Sequence, residues 1–131
     1  MTFINLVKAF DRVPREMLWN ILGKEEYDVP AKLIKAIKST YENSSCRVKT
    51  HSESSDWFRV ITGVKQGRVL SLILFIIFME YCARLVCGKS KGDIFGYADS
   101  LAVICDTEDS LQRFVTVWDE ELLAKCMKIS R

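Results

Sequence analysis

The sequence predicts an α+β fold, a mixed or antiparallel sheet with helices packed on one face. Runs of strand length interleave with runs of helical period, but without the regular strand–helix–strand alternation that builds a parallel sheet. Proline stands twice at the head of a helically periodic segment, at Pro14 and Pro30, where its fixed φ suits a first turn. The stretch "IFGYADSLAVICD" alternates around a tip at Ala98 to Ser100, as a hairpin does. A chain of 131 residues, 49% apolar and 11% aromatic, can enclose a core, and no repeat, low-complexity tract or linker divides residues 1–131 into more than one domain.

"TFINLV" opens the chain as a short strand, with Phe3, Ile4, Leu6 and Val7 apolar. Behind Pro14, Met17, Leu18, Ile21 and Leu22 recur at helical spacing until Gly23, which gives a helix over about 14–22. Behind Pro30, Leu33, Ile34, Ile37 and Tyr41 form one face of a second helix, Lys32, Lys35 and Lys38 lie largely on the other, and "ENSS" ends it. That lysine face suits phosphates, although a solvated helix face is the more common explanation of such a pattern. "CRVKT" and "WFRVIT" are β-rich runs around the polar loop "HSESSD", a hairpin whose loop holds His51 with no partner pattern that would give it chemistry. "GVKQGR" is a glycine-punctuated turn, an apolar helix runs from Val69 to about Leu85, and "CGKSKGD" is a loop. After the Ala98–Ser100 hairpin, "TEDSLQRFVTVWDEELLAK" is a helix with Leu111, Phe114, Val115, Trp118 and Leu122 on one face. Thr107 is its N-cap, with Glu108 and Asp109 at the positive end of the dipole.

Nineteen basic and seventeen acidic residues leave a formal charge of +2, too weak a field to announce a nucleic-acid binder, so any basic surface must be local. The five cysteines (Cys46, Cys82, Cys87, Cys105, Cys126) form no CxxC pair and His51 is the only histidine, which leaves a structural zinc site almost no ligands. "MTFINLVKAF" is too charged and too poor in apolar residues for a secretory leader, so reduced thiols and an intracellular location, nuclear or cytoplasmic, are expected. The most apolar run, Val69 to Met79, is 11 residues long and bracketed by Arg68, Glu80 and Arg84. A membrane span needs about 17–25 residues, so the run reads as a buried helix or strand of a soluble core, with no membrane.

Asp99, at the hairpin tip, is an acid of the kind that holds a hard divalent cation, though an isolated turn aspartate is usually a structural Asx-type residue. The combination of four stretches changes that reading. "FINLVKAFDRVPRE" resembles the first conserved palm motif of the reverse transcriptases of non-LTR (LINE-type) retrotransposons and their endonuclease-reverse transcriptase relatives, F-I-D-L-x-K-A-F-D-x-V-P-R-E. "GVKQGRVLSLILFIIFM" resembles the second, G-V-x-Q-G-x-x-L-S-P-x-L-F, "GYADSLAVI" the third, Y-A-D-D-L, and "LLAKCMKIS" the start of the fourth, G-L-K-I-N. The motifs stand in the family's order over nearly the full length, and "LIKAIKSTYENSSCRVKT" resembles the family between the first and the second.

The resemblance implies a polymerase palm and RNA-directed DNA synthesis, with an RNA template, a DNA primer and deoxynucleotides as partners and Mg²⁺ (or Mn²⁺) for two-metal phosphoryl transfer. Carried over residue by residue, the family's metal carboxylates fall on Asn5, Asp99 and Ser100, so Asp99 alone is still an acid and the centre is degenerate. Asp11, six residues beyond Asn5, is present in the family's pattern in addition to the lost acid and is expected to be a helix-start or salt-bridging residue near Arg12 and Arg15. Phe10 matches the aromatic that lies under the incoming sugar and excludes a 2′-hydroxyl, while as a bare sequence feature it is a core aromatic. Gln66 and Gly67 match the turn near the nascent base pair, Lys65 and Arg68 stand where a positive charge would meet template or phosphate, and Tyr97 joins the same nucleotide-facing set. Arg68 replaces a usually small residue and Leu72 replaces the proline of L-S-P.

Starting at the first motif and stopping at "KISR", the chain is expected to hold partial fingers and no thumb, to grip a duplex poorly, and to count missing fingers or thumb segments among its candidate partners. The function these features imply is that of a catalytically impaired reverse transcriptase fragment of retrotransposon origin, a pseudoenzyme. The alternative from another class is a non-catalytic nucleic-acid-binding or protein-interaction module on the same scaffold, using the lysine face with Lys65 and Arg68. An expressed pseudogene product without a selected activity is the third.

Overall fold

In β1 (Thr2–Asn5) the period-two alternation of a strand turns Ile4 inward, 4% exposed, and Phe3 outward, 70% exposed. The computed structural model describes residues 1–97 and 100–130, and of Tyr97 the backbone alone. The chain continues through α1 (Ala9–Arg12), α2 (Arg15–Leu22), α3 (Ala31–Tyr41), β2 (Ser45–Cys46), β3 (Phe58–Arg59), α4 (Val69–Cys87), β4 (Asp93–Tyr97), β5 (Ser100–Ile104) and α5 (Glu108–Ala124). β5 lies between β1 and β4, antiparallel to both, in a three-stranded sheet. β2 and β3 pair separately. The architecture is α+β, and the strand pairs are antiparallel.

The register sets which residues share a face. Ile4, Leu101 and Gly96 form one cross-strand row, with Ile4 and Leu101 buried, and Val103 is fully buried on the same side. Phe3, Ala102 and Phe95 form a row on the opposite, open face, where Phe95 is 60% exposed. The buried side meets a single apolar cluster: Leu18, Ile21 and Leu22 from α2, Leu74, Phe75, Phe78 and Cys82 from α4, and Phe114, Trp118 and Leu122 from α5. α4 packs against both α2 and α5.

Pro14 and Pro30 head α2 and α3, but as extended N-cap residues one position before the first turn that the sequence predicts for them. Thr107 caps α5, its hydroxyl accepting from the Ser110 amide at 3.2 Å. Several expectations are corrected. The opening strand stops at Asn5, because Lys8 enters a left-handed conformation (φ 50°) and starts the short α1 that the pattern did not suggest. Leu33, assigned to the apolar face of α3, is 51% exposed, and Ile37 and Tyr41 alone are fully inside. The hairpin of β2 and β3 has two-residue strands, followed outward by one further bridge between Lys49 and Ser54.

The largest correction concerns α4. It runs to Cys87, and by length and composition it could cross a membrane: 19 residues, with a mean hydropathy of 2.2. It is not buried all round, since 39% of that window lies inside the protein, and Val69, Leu72, Ile73 and Ile76 face outward. Leu72 leaves the helix regular, its amide donating to the Arg68 carbonyl at 3.2 Å, a bond that a proline there would not make.

Candidate functional site

Asn5 ends β1 and Ser100 begins β5, and the register places them directly opposite each other on the open face of the sheet. Both are exposed, and the Ser100 hydroxyl donates to the Asn5 side-chain carbonyl at 2.9 Å. On the other side of β1 the Asn5 backbone carbonyl accepts from the Ser130 amide at 2.7 Å. The backbone of Tyr97 completes the row from β4. Ala98 and Asp99, and with them the acid of the third motif, lie outside the described residues.

A second group of predicted residues is held together by a strap of chain before α4. The Val64 amide donates to the Phe10 carbonyl at 2.7 Å and the Gly63 amide to the Val13 carbonyl at 2.9 Å, so residues 63–64 lie along the end of α1. Gly63 is required there: its φ is +80°, and a Cβ would stand 2.6 Å from the Asp11 backbone. Phe10 is half-buried and stacked on Phe75, with ring centroids 4.4 Å apart. Asp11 does sit in the first turn of α1, but its carboxylate accepts from Gln66 Nε2 at 3.0 Å rather than pairing with the arginine expected beside it.

Arg15 is engaged elsewhere. Its guanidinium donates to the carbonyls of Gly63 (2.8 Å), Val60 (3.0 Å) and Tyr41 (3.3 Å), and it lies 5.0 Å from the centroid of the Tyr41 ring. Burial pulls its pKa below the ordinary value. Sequence reasoning missed this role, because its acceptors are backbone carbonyls whose direction no side-chain pattern records. Lys65 is likewise turned inward, its ammonium donating to the Thr40 carbonyl at 2.6 Å and sitting 5.3 Å from the Tyr41 ring centroid. Gly67 has φ +78° with open space where a Cβ would be, and Arg68 is exposed at the N-cap of α4. Asp11, Arg15, Gln66, Arg68 and Phe58 all line one open cleft of about 730 Å³.

The Asn5–Ser100 pair does not fit a two-cation centre. An amide and a hydroxyl bring no negative charge, and here the amide oxygen is already hydrogen-bonded. Among the described residues no three His, Cys, Asp or Glu side chains gather into a metal-binding group.

With Asn5 and Ser100 strand-paired on an open sheet face backed by helices, the chain matches the family model described as reverse transcriptase (RNA-dependent DNA polymerase), which covers residues 1–131. The chain belongs to that family. Among curated proteins it is similar to a retrovirus-related Pol polyprotein from the type-1 retrotransposable element R2 of Nasonia vitripennis, 27% identical over 86% of this chain. A second similar protein is the Pol polyprotein from the type-2 retrotransposable element R2DM of Drosophila melanogaster, 28% identical over 83% of this chain. A third is the RNA-directed DNA polymerase from the mobile element jockey of Drosophila funebris, 29% identical over 90%. These similarities support a LINE-type, non-LTR reverse transcriptase. The chain spans 11–14% of the length of these relatives.

Proposed function

We propose that residues 1–131 are a palm region of a non-LTR retrotransposon reverse transcriptase in which nucleotidyl transfer is disabled. The observation that supports this is the neutral hydrogen bond between Ser100 and Asn5, where the family's pattern has two carboxylates. Two Mg²⁺ ions held about 4 Å apart repel by about 4 kcal/mol even at the dielectric constant of water, and more in a drier site. Anionic ligands between and around the ions offset that repulsion, and neither an amide nor a hydroxyl does. A loss of several orders of magnitude in rate follows, each factor of ten being about 1.4 kcal/mol of barrier.

The test is primer extension on an RNA template with deoxynucleotides, in Mg²⁺ and in Mn²⁺, with this chain beside Asn5→Asp/Ser100→Asp. Extension by the double variant alone is the expected result. Extension by the unaltered chain sinks the inactivity, and silence from both means that the lost carboxylates are not the sole cause, the shortness of the chain or the polymerase reading then being at fault.

A second reading, a non-catalytic nucleic-acid-binding module, is favoured by the exposure of Lys32 and Lys35 on α3 and of Arg68 at the head of α4. Lys65 is withdrawn from that surface by its bond to Thr40. Binding through such charges falls steeply as salt is raised, and a binding isotherm insensitive to salt would count against it.

A further inference from the structure

The hairpin of β2 and β3 lies outside the three-stranded sheet and exposes aromatic surface that the polymerase reading does not use: Trp57 is 64% exposed and Phe58 49%. Ser45 pairs with Arg59, so these two share a face of the ribbon. Arg47 and Trp57 lie just beyond the two short strands, two residues from Ser45 and from Arg59, where continuing the alternation puts them on that same face. Their contact agrees, with the Arg47 guanidinium 4.9 Å from the centroid of the Trp57 ring. One face of the hairpin thus presents an exposed indole between two exposed arginines, Arg47 stacked on it and Arg59 beside it.

The charge around it is local, as the whole-chain balance requires. Residues 43–68 hold five basic side chains and two acidic ones, a net +3, where the whole chain has +2. An indole and a guanidinium already stacked offer flat π surface to a further ring, and every unpaired base has a face that can join such a stack. A neighbouring arginine then meets the phosphate. The outward side of α4 is the contrasting case: Val69, Leu72, Ile73 and Ile76 are apolar with no cation among them, a surface for protein rather than for phosphate.

We propose that this face of the hairpin binds single-stranded RNA, a base stacking on Trp57 and Arg47 and the adjoining phosphate meeting Arg59. The choice of RNA rests on the reading of the chain as a reverse transcriptase domain, while the stacking rests on the hairpin itself.

The test is fluorescence anisotropy of a labelled, unstructured RNA oligonucleotide with the whole chain, repeated with Trp57→Ala, Trp57→Phe, Arg47→Ala/Arg59→Ala and Lys32→Ala/Lys35→Ala. A single-stranded DNA of the same sequence is the comparison ligand. Trp57→Ala is expected to weaken binding about tenfold, with Trp57→Phe recovering most of the loss. The arginine pair should weaken binding and flatten its salt dependence, and the α3 lysine pair should matter less than Trp57. Binding should also quench tryptophan emission, which reports Trp57 because Trp19 and Trp118 are 7% and 0% exposed.

Unchanged RNA affinity in Trp57→Ala overturns the proposal, as does a folded chain that binds no RNA at low salt. Tighter binding to the DNA overturns the choice of occupant, and a Trp57→Ala effect confined to self-association reassigns the surface to protein. Failure of the catalytic reading is separable: a silent Asn5→Asp/Ser100→Asp variant that still binds RNA through Trp57 sinks that reading and leaves the hairpin site standing.

Discussion

Asn5 carries a neutral amide and Ser100 a hydroxyl, at the two positions where the proposed reading puts carboxylates of the family's pattern. The two positions were legible in the sequence because motif order carries them, and the strand register puts them in contact. Arg15 shows what motifs do not carry. It donates to four carbonyls from two separate segments, so Arg15→Ala should cost about 2–3 kcal/mol, read as a lower urea midpoint with an unchanged m-value. Arg15→Lys should recover only part of the loss, since one ammonium cannot reach acceptors that the fork spans. Gly63→Ala should cost more than the roughly 1 kcal/mol of an ordinary loop glycine, because its Cβ would meet backbone atoms of Asp11.

Among the elements, α5 was the most legible: its cap, its apolar stripe and its length all follow from period and end signals, and the structure agrees. Its ion pairs did not follow. Lys125 is buried and pairs with Glu121 at 2.8 Å, while Lys89, from the loop after α4, reaches the same carboxylate. The bond from Lys125 first, and then that from Lys89, hold the Glu121 pKa down to about 2. A carboxyl whose folded pKa is depressed contributes stability that is complete above its unfolded value and is lost as pH falls toward the folded one. The pair should therefore support the fold above about pH 4.5 and fail progressively toward pH 2, and Glu121→Gln should flatten the melting temperature across that window. α4 was misread for a different reason. A helix apolar on all sides gives no periodic signal of which side is covered, so the buried residues and the exposed Ile73 look alike in sequence. Val69→Lys/Ile73→Lys should change stability by less than about 0.5 kcal/mol per site and reduce self-association in sedimentation.

At the scale of the molecule, the α+β class and the element order were predictable, and the lengths of β1, β2 and β3 were not. Where a strand stops depends on partners far away in sequence, such as Arg59 for Ser45 and Val103 for Thr2. The cysteines give a whole-molecule readout of that packing. All five are free: Cys46, Cys87 and Cys126 are exposed, and Cys82 is fully enclosed, where burial pushes its thiol up to about 12. In native buffer a thiol reagent should label the three exposed cysteines quickly and Cys82 only at the rate of global opening. Fast labelling of Cys82 would mean that the core is not closed.

Residues 128–130 lie along the outer side of β1: the Val7 amide donates to the Lys128 carbonyl at 2.8 Å, the Ser130 amide to that of Asn5 at 2.7 Å, and Leu6 bridges Ile129. The opening strand is thus flanked by β5 on one side and by this segment on the other, and both are synthesised long after it. Both edges of the strand therefore close only through pairings of long sequence separation, such as Thr2 with Val103 and Leu6 with Ile129, which form slowly in folding. An opening that releases either neighbour bares a strand edge to which another chain can pair.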